Sequence, residues 1–320
     1  MKKTYALLAL ATISWGGAFL GGKISTQTLT PEAVAFFRFL VAALLLFPML
    51  WLDRRRQGRK QATAGGDAGS TMSLARSKTF GDWLLLFALG ATGMCLYNLC
   101  FFFATKHAAI VKSSLVIAVN APMITVLSAL FLKERLNASS LAGLIVALTG
   151  SVYVIVGGDL GKLSALRFEP VDLVLLGACV SWAVYSVLSK VAMRKFSPLE
   201  ATAYGAGFGA LLLLPFAWTT TTWQHIVTTG WDGWAGVLYV GVIVSVVSFL
   251  WWNSGIKEAG ASKAAIFVNL MPLSAIAMAA VFLGETFTSA HLIGGMLIFS
   301  GIYLNIRKKR TQTRTKSLAG

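Results

Sequence analysis

Histidine, cysteine and acid are all scarce in this chain. Its 320 residues include three histidines, three cysteines and twelve aspartates and glutamates. His107, His225 and His291 stand far apart, at the ends of apolar runs or between them, and no HExxH occurs. That leaves no zinc-hydrolase constellation. Cys95, Cys100 and Cys179 fall within apolar runs and match no metal spacing or disulfide framework, so they read as small packing residues. No glycine-rich phosphate loop follows a strand, and no nucleophile–base pair or carboxylate cluster gathers. Nothing here implies a cofactor, and the chain does not read as an enzyme. Charge is scarce too: 12% of residues carry one, against about 25% in a soluble domain.

What is abundant is apolar sequence, at 56% of residues. Runs of about 20 apolar residues suffice to cross a bilayer core as helices. Ten such runs are placed at 5–24, 32–51, 82–104, 108–131, 138–156, 171–191, 198–218, 234–254, 262–283 and 291–306. The fold class is therefore an all-α membrane protein.

The net charge of +16 could suggest nucleic acid, but its distribution suggests a membrane. If the N-terminus is cytoplasmic, only Lys23, Lys106, Lys112, Lys162 and Arg167 fall outside, and Arg38 lies within a span. The other lysines and arginines are all inside, as the positive-inside bias requires. Both termini are expected in the cytoplasm, with no nucleic-acid partner. The polar, glycine-rich stretch 53–80 and the basic tail 307–320 read as cytoplasmic segments touching anionic membrane lipid.

The chain repeats itself. At a shift of 167 residues Ser14-Trp15 falls on Ser181-Trp182, Lys23 on Lys190, Thr30-Pro31 on Ser197-Pro198, and Pro48 on Pro215. Each Thr/Ser-Pro pair is a helix start, with a hydroxyl cap before a proline that needs no N–H. Further on, Ser113, Ile117, Val119 and Asn120 match Ser262, Ile266, Val268 and Asn269, and "FLKE" (131–134) matches "FLGE" (282–285). The basic, apolar N-terminus resembles a secretory leader, but its counterpart downstream identifies it as part of the fold. Residues 1–156 and 171–306 thus form two repeats of five spans. Five is odd, so the second repeat crosses the membrane inverted, as in many secondary transporters.

In this order and doubling, "SWGGAF", "FFRFLVAALLLFP", "FLKE…LAGLIVALTGSVYVI" and "FLGE…LIGGMLIFSGIYL" resemble the EamA family of the drug/metabolite transporter superfamily. The resemblance covers nearly the whole chain. It implies a cytoplasmic-membrane permease, often an exporter of amino acids or other small metabolites. It allows a homodimer and leaves the substrate open.

Polar groups at bilayer depth are costly and tend to mark function. Arg38, two turns into the second span, reads either as a ligand for a substrate carboxylate or as a cation that snorkels to the interface. Asn120 and Asn269 stand near Pro122 and Pro272, and each reads as a midplane site residue or as helix–helix glue. Trp15 and Trp182 fall mid-span, away from the interface that tryptophan favours. Tyr185 shares a face with Trp182, and Asn98 is a further candidate. Trp251 and Trp252 read as anchors at the inner end of the eighth span. Glu134 and Glu285 end their helices and read as caps or surface-pairing groups, not as a proton relay. With no acid at mid-depth, no strong proton-relay candidate stands out, which leaves facilitated diffusion or exchange open beside ion or proton coupling. An integral-membrane enzyme and a non-transporting structural or sensory protein are the competing classes. The missing catalytic groups count against the first, and the inverted duplication against the second.

Overall fold

In a computed structural model of the chain, residues 2–63, 78–107, 116–134, 136–164, 167–284, 286 and 288–306 are described, and helices are their only regular structure. Ten helices carry the architecture. They are α1 (Lys2–Ser25), α2 (Pro31–Thr63), α3 (Phe80–Leu89, continued by Gly90–Leu96 and Tyr97–His107), α4 (Val116–Leu132) and α5 (Ala138–Ile155). Then come α6 (Pro170–Ala192), α7 (Pro198–Thr220), α8 (Trp231–Ala259), α9 (Ala261–Phe282) and α10 (Ser289–Ile306). Nine of these contain stretches long and apolar enough to span a bilayer, and Val116–Leu132 is a shorter apolar helix. The predicted fourth span began at 108, but 108–115, with Ser113, lie outside the described residues, as do 64–77, Glu285 and the tail 307–320.

The helix starts follow the local chemistry. The Thr30 hydroxyl accepts from Ala33 N at 3.2 Å, and the Ser197 hydroxyl from Glu200 N at 3.1 Å. α2 corrects the expected 53–80 loop, because residues 53–63 are helical. Its Arg, Gln, Lys and Ala residues are good helix formers, and the Arg55 guanidinium lies 3.6 Å from the Trp51 ring centroid. A helix of 33 residues is about 50 Å long, well beyond a bilayer core of about 30 Å.

Packing crosses between the halves. α1 lies against α8 and α9, while α3 and α4 lie against α6; α2 pairs with α7, and α5 with α10. Exchanging each helix for its counterpart five places along (α1 with α6, α2 with α7 and so on) returns the same contacts. This is the signature of a pseudo-two-fold axis. Two groups result, α1–α8–α9 and α3–α4–α6, each drawing helices from both halves. The α5–α10 contact is symmetric and close. A Cβ on Gly143 would lie 2.5 Å from Gly301 O, and one on Gly150 would lie 2.6 Å from Gly294 O. Only hydrogen fits there.

Contacts between distant segments define two faces. Ser25 bonds to Gly233 O, Thr28 to Thr229, and Thr30 to Thr221 on one face, here the upper. On the lower face, which holds Thr4 and Asn305, Thr4 bonds to Glu258, Ser139 to Leu304 O and Asn305 to Ser140 O. Leu130, Phe131, Leu211, Val281 and Phe282 project outward as lipid-facing surface.

Candidate functional site

Two breaks in helical regularity build the site. α3 and α8 each contain a π-helical stretch, Gly90–Leu96 and Tyr239–Ser248, at corresponding places in the two repeats. A π turn bonds five residues back instead of four, and such turns concentrate at functional sites. Ser245 follows that pattern, its hydroxyl donating to Val240 O at 2.8 Å. Just past the other π stretch, Asn98 Nδ2 donates to Met94 O at 2.9 Å. The two side-chain oxygens face the same cation. Arg38 Nε donates to Ser245 Oγ at 2.9 Å, and Arg38 Nη1 to Asn98 Oδ1 at 3.2 Å.

Arg38 is therefore buried at 8% exposure and does not snorkel. Its guanidinium carbon also lies 4.8 Å from the Phe39 ring centroid, a favourable cation–π distance. Among the described residues no carboxylate pairs with it. The guanidinium is held by neutral acceptors and keeps its positive charge uncompensated.

Beside Arg38 lies a cavity of about 60 Å³ lined by Trp15, Tyr97, Asn98, Asn120, Trp182 and Phe249, among others. The duplicated tryptophans meet there. Trp15 and Trp182 pack edge to face with centroids 5.2 Å apart, and Tyr97 lies 5.1 Å from Trp182. Such aromatic contacts add to the energy of burial alone and hold a defined geometry. Two residues of the lining each carry a buried polar atom without a partner among the described residues, Trp15 Nε1 and Asn120 Oδ1. One is a donor and the other an acceptor.

The structure brings Trp15, Arg38, Asn98, Asn120 and Trp182 to one cavity, and leaves Tyr185 and Asn269 behind its wall. Tyr185 stacks on Trp182 at 5.0 Å. Its hydroxyl donates to Asn253 Oδ1 at 3.2 Å, which also accepts from Ser189 at 2.7 Å, while Asn253 Nδ2 donates to Thr202 at 2.9 Å. Asn269 ends the 3₁₀ segment Ile266–Asn269 within α9 and donates back to Ile266 O at 3.0 Å. Pro272, which has no N–H to bond helically, follows this break.

Trp252 corrects its expected place as an interface anchor. It is fully buried, 5.1 Å from Trp15 and 6.1 Å from Trp182. The aromatic cluster draws it inward, so a third tryptophan packs behind the two that line the cavity. Asn253, Ser245 and Trp252 all come from α8, where the π stretch re-registers the helix and defeats a face assignment based on 3.6 residues per turn. The doubled Ser-Trp pattern itself gives no sign of them.

Glu134 caps as expected, but on another helix. Its carboxylate accepts from Ala261 N at 3.1 Å and Ser262 N at 3.0 Å, at the start of α9. Lys190 Nζ donates to Ile256 O at 2.9 Å and Lys257 O at 2.8 Å, at the end of α8. These contacts close the lower face beneath the aromatic cluster.

Comparison with known proteins agrees with this architecture. The chain is 29% identical over 308 residues to an "Uncharacterized transporter" of Archaeoglobus fulgidus, covering 96% of this chain and 99% of that one. It is 27% identical to a "Probable amino-acid metabolite efflux pump" of Salmonella typhimurium, and 25% identical to a "Probable terminal-alkyne amino-acid exporter" of Streptantibioticus cattleyicolor. Each of these matches covers 100% of this chain and 99% of the relative. A crystal structure superimposes with a TM-score of 0.70 at 21% identity, over 96% of this chain and 97% of that one, and so shares the fold. The EamA-like transporter family model matches twice, at residues 2–156 and 170–307. The chain, a multi-pass membrane protein built on a duplicated unit, belongs to the EamA-like transporter family.

Proposed function

We propose that the protein is an ATP-independent carrier that exports a small amphipathic metabolite with a carboxylate, an amino acid or a close relative, across the cytoplasmic membrane. The observation that carries this reading is the buried, acid-free Arg38 beside an aromatic-walled cavity with an orphaned amide oxygen at Asn120. A carboxylate would complete the charge of Arg38. A substrate ammonium or amide N–H would pair with Asn120 Oδ1. An apolar body would pack against Trp15, Trp182 and Phe249, the usual division of labour in a small-molecule site. Tyr185, behind Trp182, and Asn269, on the broken helix, would act through position instead of contact.

A cavity of 60 Å³ is too narrow for such a cargo. Loading requires α1–α8–α9 and α3–α4–α6 to part on one face and close on the other, which is alternating access around a fixed site. Two relatives named for amino-acid export support the substrate class. The charge distribution supports termini in the cytoplasm.

The test is transport in proteoliposomes. The wild-type chain should carry an amino acid such as L-phenylalanine down its gradient, and phenethylamine, which lacks the carboxylate, poorly. Arg38→Ala should lower transport per folded molecule at least tenfold. Arg38→Lys, which retains the charge but not the planar fork, should fall in between. Full transport by Arg38→Ala would refute the assignment.

A further inference from the structure

Beneath the aromatic cluster, at the lower face, lies a second and wider cavity of about 270 Å³. The ends of α4, α6, α8 and α10 meet the starts of α5 and α9 around it. Its wall carries balanced charge: Glu134 and Glu258 against Lys190 and Lys263. Leu136 and Leu144 supply apolar surface. Glu134 and Lys190 are engaged with helix ends, as described, and Glu258 accepts from Thr4.

Two residues of this lining each carry a buried polar atom with no hydrogen-bond partner among the described residues: the Ser262 hydroxyl and the Asn305 amide oxygen, both just behind the accessible surface. Both side chains are more than nine-tenths buried, at 8% and 7% exposure. Leaving such groups unpaired is costly, and a ligand that pairs them recovers that cost. The charge balance narrows the ligand. A cation would meet the two lysines, and an anion the two glutamates. A molecule that carries both charges meets a partner for each.

The cavity also lies in line with the central one. On α4, Asn120 lines the upper cavity and Thr125 the lower; on α9, Val268 lines the upper and Ser262 the lower. Between them Ala121, Ile124, Ala265 and Ile266 are fully buried and form an apolar plug.

We propose that the lower cavity is a second binding site, for the zwitterionic head of an α-amino acid with an apolar side chain. Asn305 Oδ1 and Glu258 receive the ammonium. The Ser262 hydroxyl and Lys263 hold the carboxylate, and Leu136 and Leu144 contact the side chain. Its role as the station that receives cargo from the cytoplasm rests on the transport reading above; its occupancy does not.

The experiment is equilibrium dialysis of tritiated L-leucine against the full chain in lipid nanodiscs, with thermal melting as the control for folding. Arg38→Ala, which disables the central site, should retain one saturable leucine site. Adding Asn305→Leu and Ser262→Ala should weaken that site at least tenfold, and Lys263→Gln, a milder change, should weaken it measurably. In the Arg38→Ala chain, 3-methylbutylamine and 4-methylpentanoate, each lacking one charge, should bind at least tenfold more weakly than leucine. If a folded Arg38→Ala chain loses all saturable leucine binding, the lower site is refuted and the central one stands. If binding survives Asn305→Leu with Ser262→Ala, or either one-charge analogue binds as well as leucine, the proposal also fails. Binding that ignores Arg38→Ala but is lost with Asn305→Leu supports the lower site and refutes the central one.

Discussion

At the scale of single residues, the site depends on which polar atoms are satisfied. Among the described residues Arg38 has two neutral acceptors and no acid, whereas Asn253 is almost fully engaged with Tyr185, Ser189 and Thr202. The first arrangement leaves electrostatic capacity for a ligand. The second consumes capacity to fix Tyr185 and, through stacking, Trp182. The two repeat-related asparagines both leave Oδ1 unpaired among the described residues, and divide by place instead. Asn120 lines the cavity with Oδ1 unpaired, while Asn269 lies outside the lining. Asn120→Ala is therefore expected to reduce transport per folded molecule about tenfold, the cost of roughly one hydrogen bond to a charged group. Its melting temperature should change little, since among the described residues no partner of Oδ1 is stranded. Asn269→Ala should leave transport within about twofold and act on stability, by about 0.6–2 kcal/mol if it matches other polar groups between membrane helices. Transport assays paired with detergent melting curves separate the two. Equal transport losses in both variants would undo this distinction. The sequence presents these asparagines as equivalents, and it takes the cavity's position to tell them apart.

At the scale of elements, helix regularity and its interruptions perform different tasks. The α5–α10 pair is regular and close, through glycines that the repeat itself duplicates. Gly143 corresponds to Gly294 and Gly150 to Gly301, and the structure crosses them, Gly143 against Gly301 and Gly150 against Gly294. Two antiparallel helices related by a two-fold axis must meet in this way. Gly150→Ala would place a methyl 2.6 Å from Gly294 O and 2.8 Å from Leu297 Cβ, and backbone cannot yield there without parting the helices. Overpacking of this kind costs about 1–3 kcal/mol, so a lower melting temperature is expected. Gly177→Ala is the control: its new methyl would find nothing nearer than Cys100 Sγ at 3.9 Å, and it should melt at or above the wild-type temperature. If both variants melted alike, close packing would not be what the α5–α10 glycines provide. α3, α8 and α9 are instead irregular where they border the cavity. Their π and 3₁₀ stretches left no trace in the apolar pattern, because a largely apolar run reads the same whichever helical bond closes it. This is why the ten elements were legible and the α8 contributions of Ser245, Trp252 and Asn253 were not.

At the scale of the whole molecule, the inverted duplication explains both what was legible and how the protein is expected to sit in the membrane. Pairs such as Trp15 and Trp182 announce the repeat in the sequence, and the symmetric exchange of helix contacts expresses it in space. The contact partners themselves could not be read in advance: each helix packs chiefly on helices of the other half, and a linear repeat does not say whether its halves stand apart or interlock. Orientation is the remaining global property, and charge determines it. Lys2, Arg54, Lys190 and Lys257 belong to one face, while the upper connections carry few cations. Cations are retained on the cytoplasmic side during insertion, so the lower face should be cytoplasmic. Gln57, exposed near the end of α2, and Gln224, exposed between α7 and α8, report on the two sides. In a chain whose native cysteines are replaced by alanine, a membrane-impermeant maleimide added to intact cells should label Gln224→Cys and spare Gln57→Cys until the membrane is opened. The lower cavity would then face the metabolite pool and the Arg38 cavity the exterior. External labelling of Gln57→Cys would reverse that assignment, and with it the direction in which the two cavities are expected to pass their cargo.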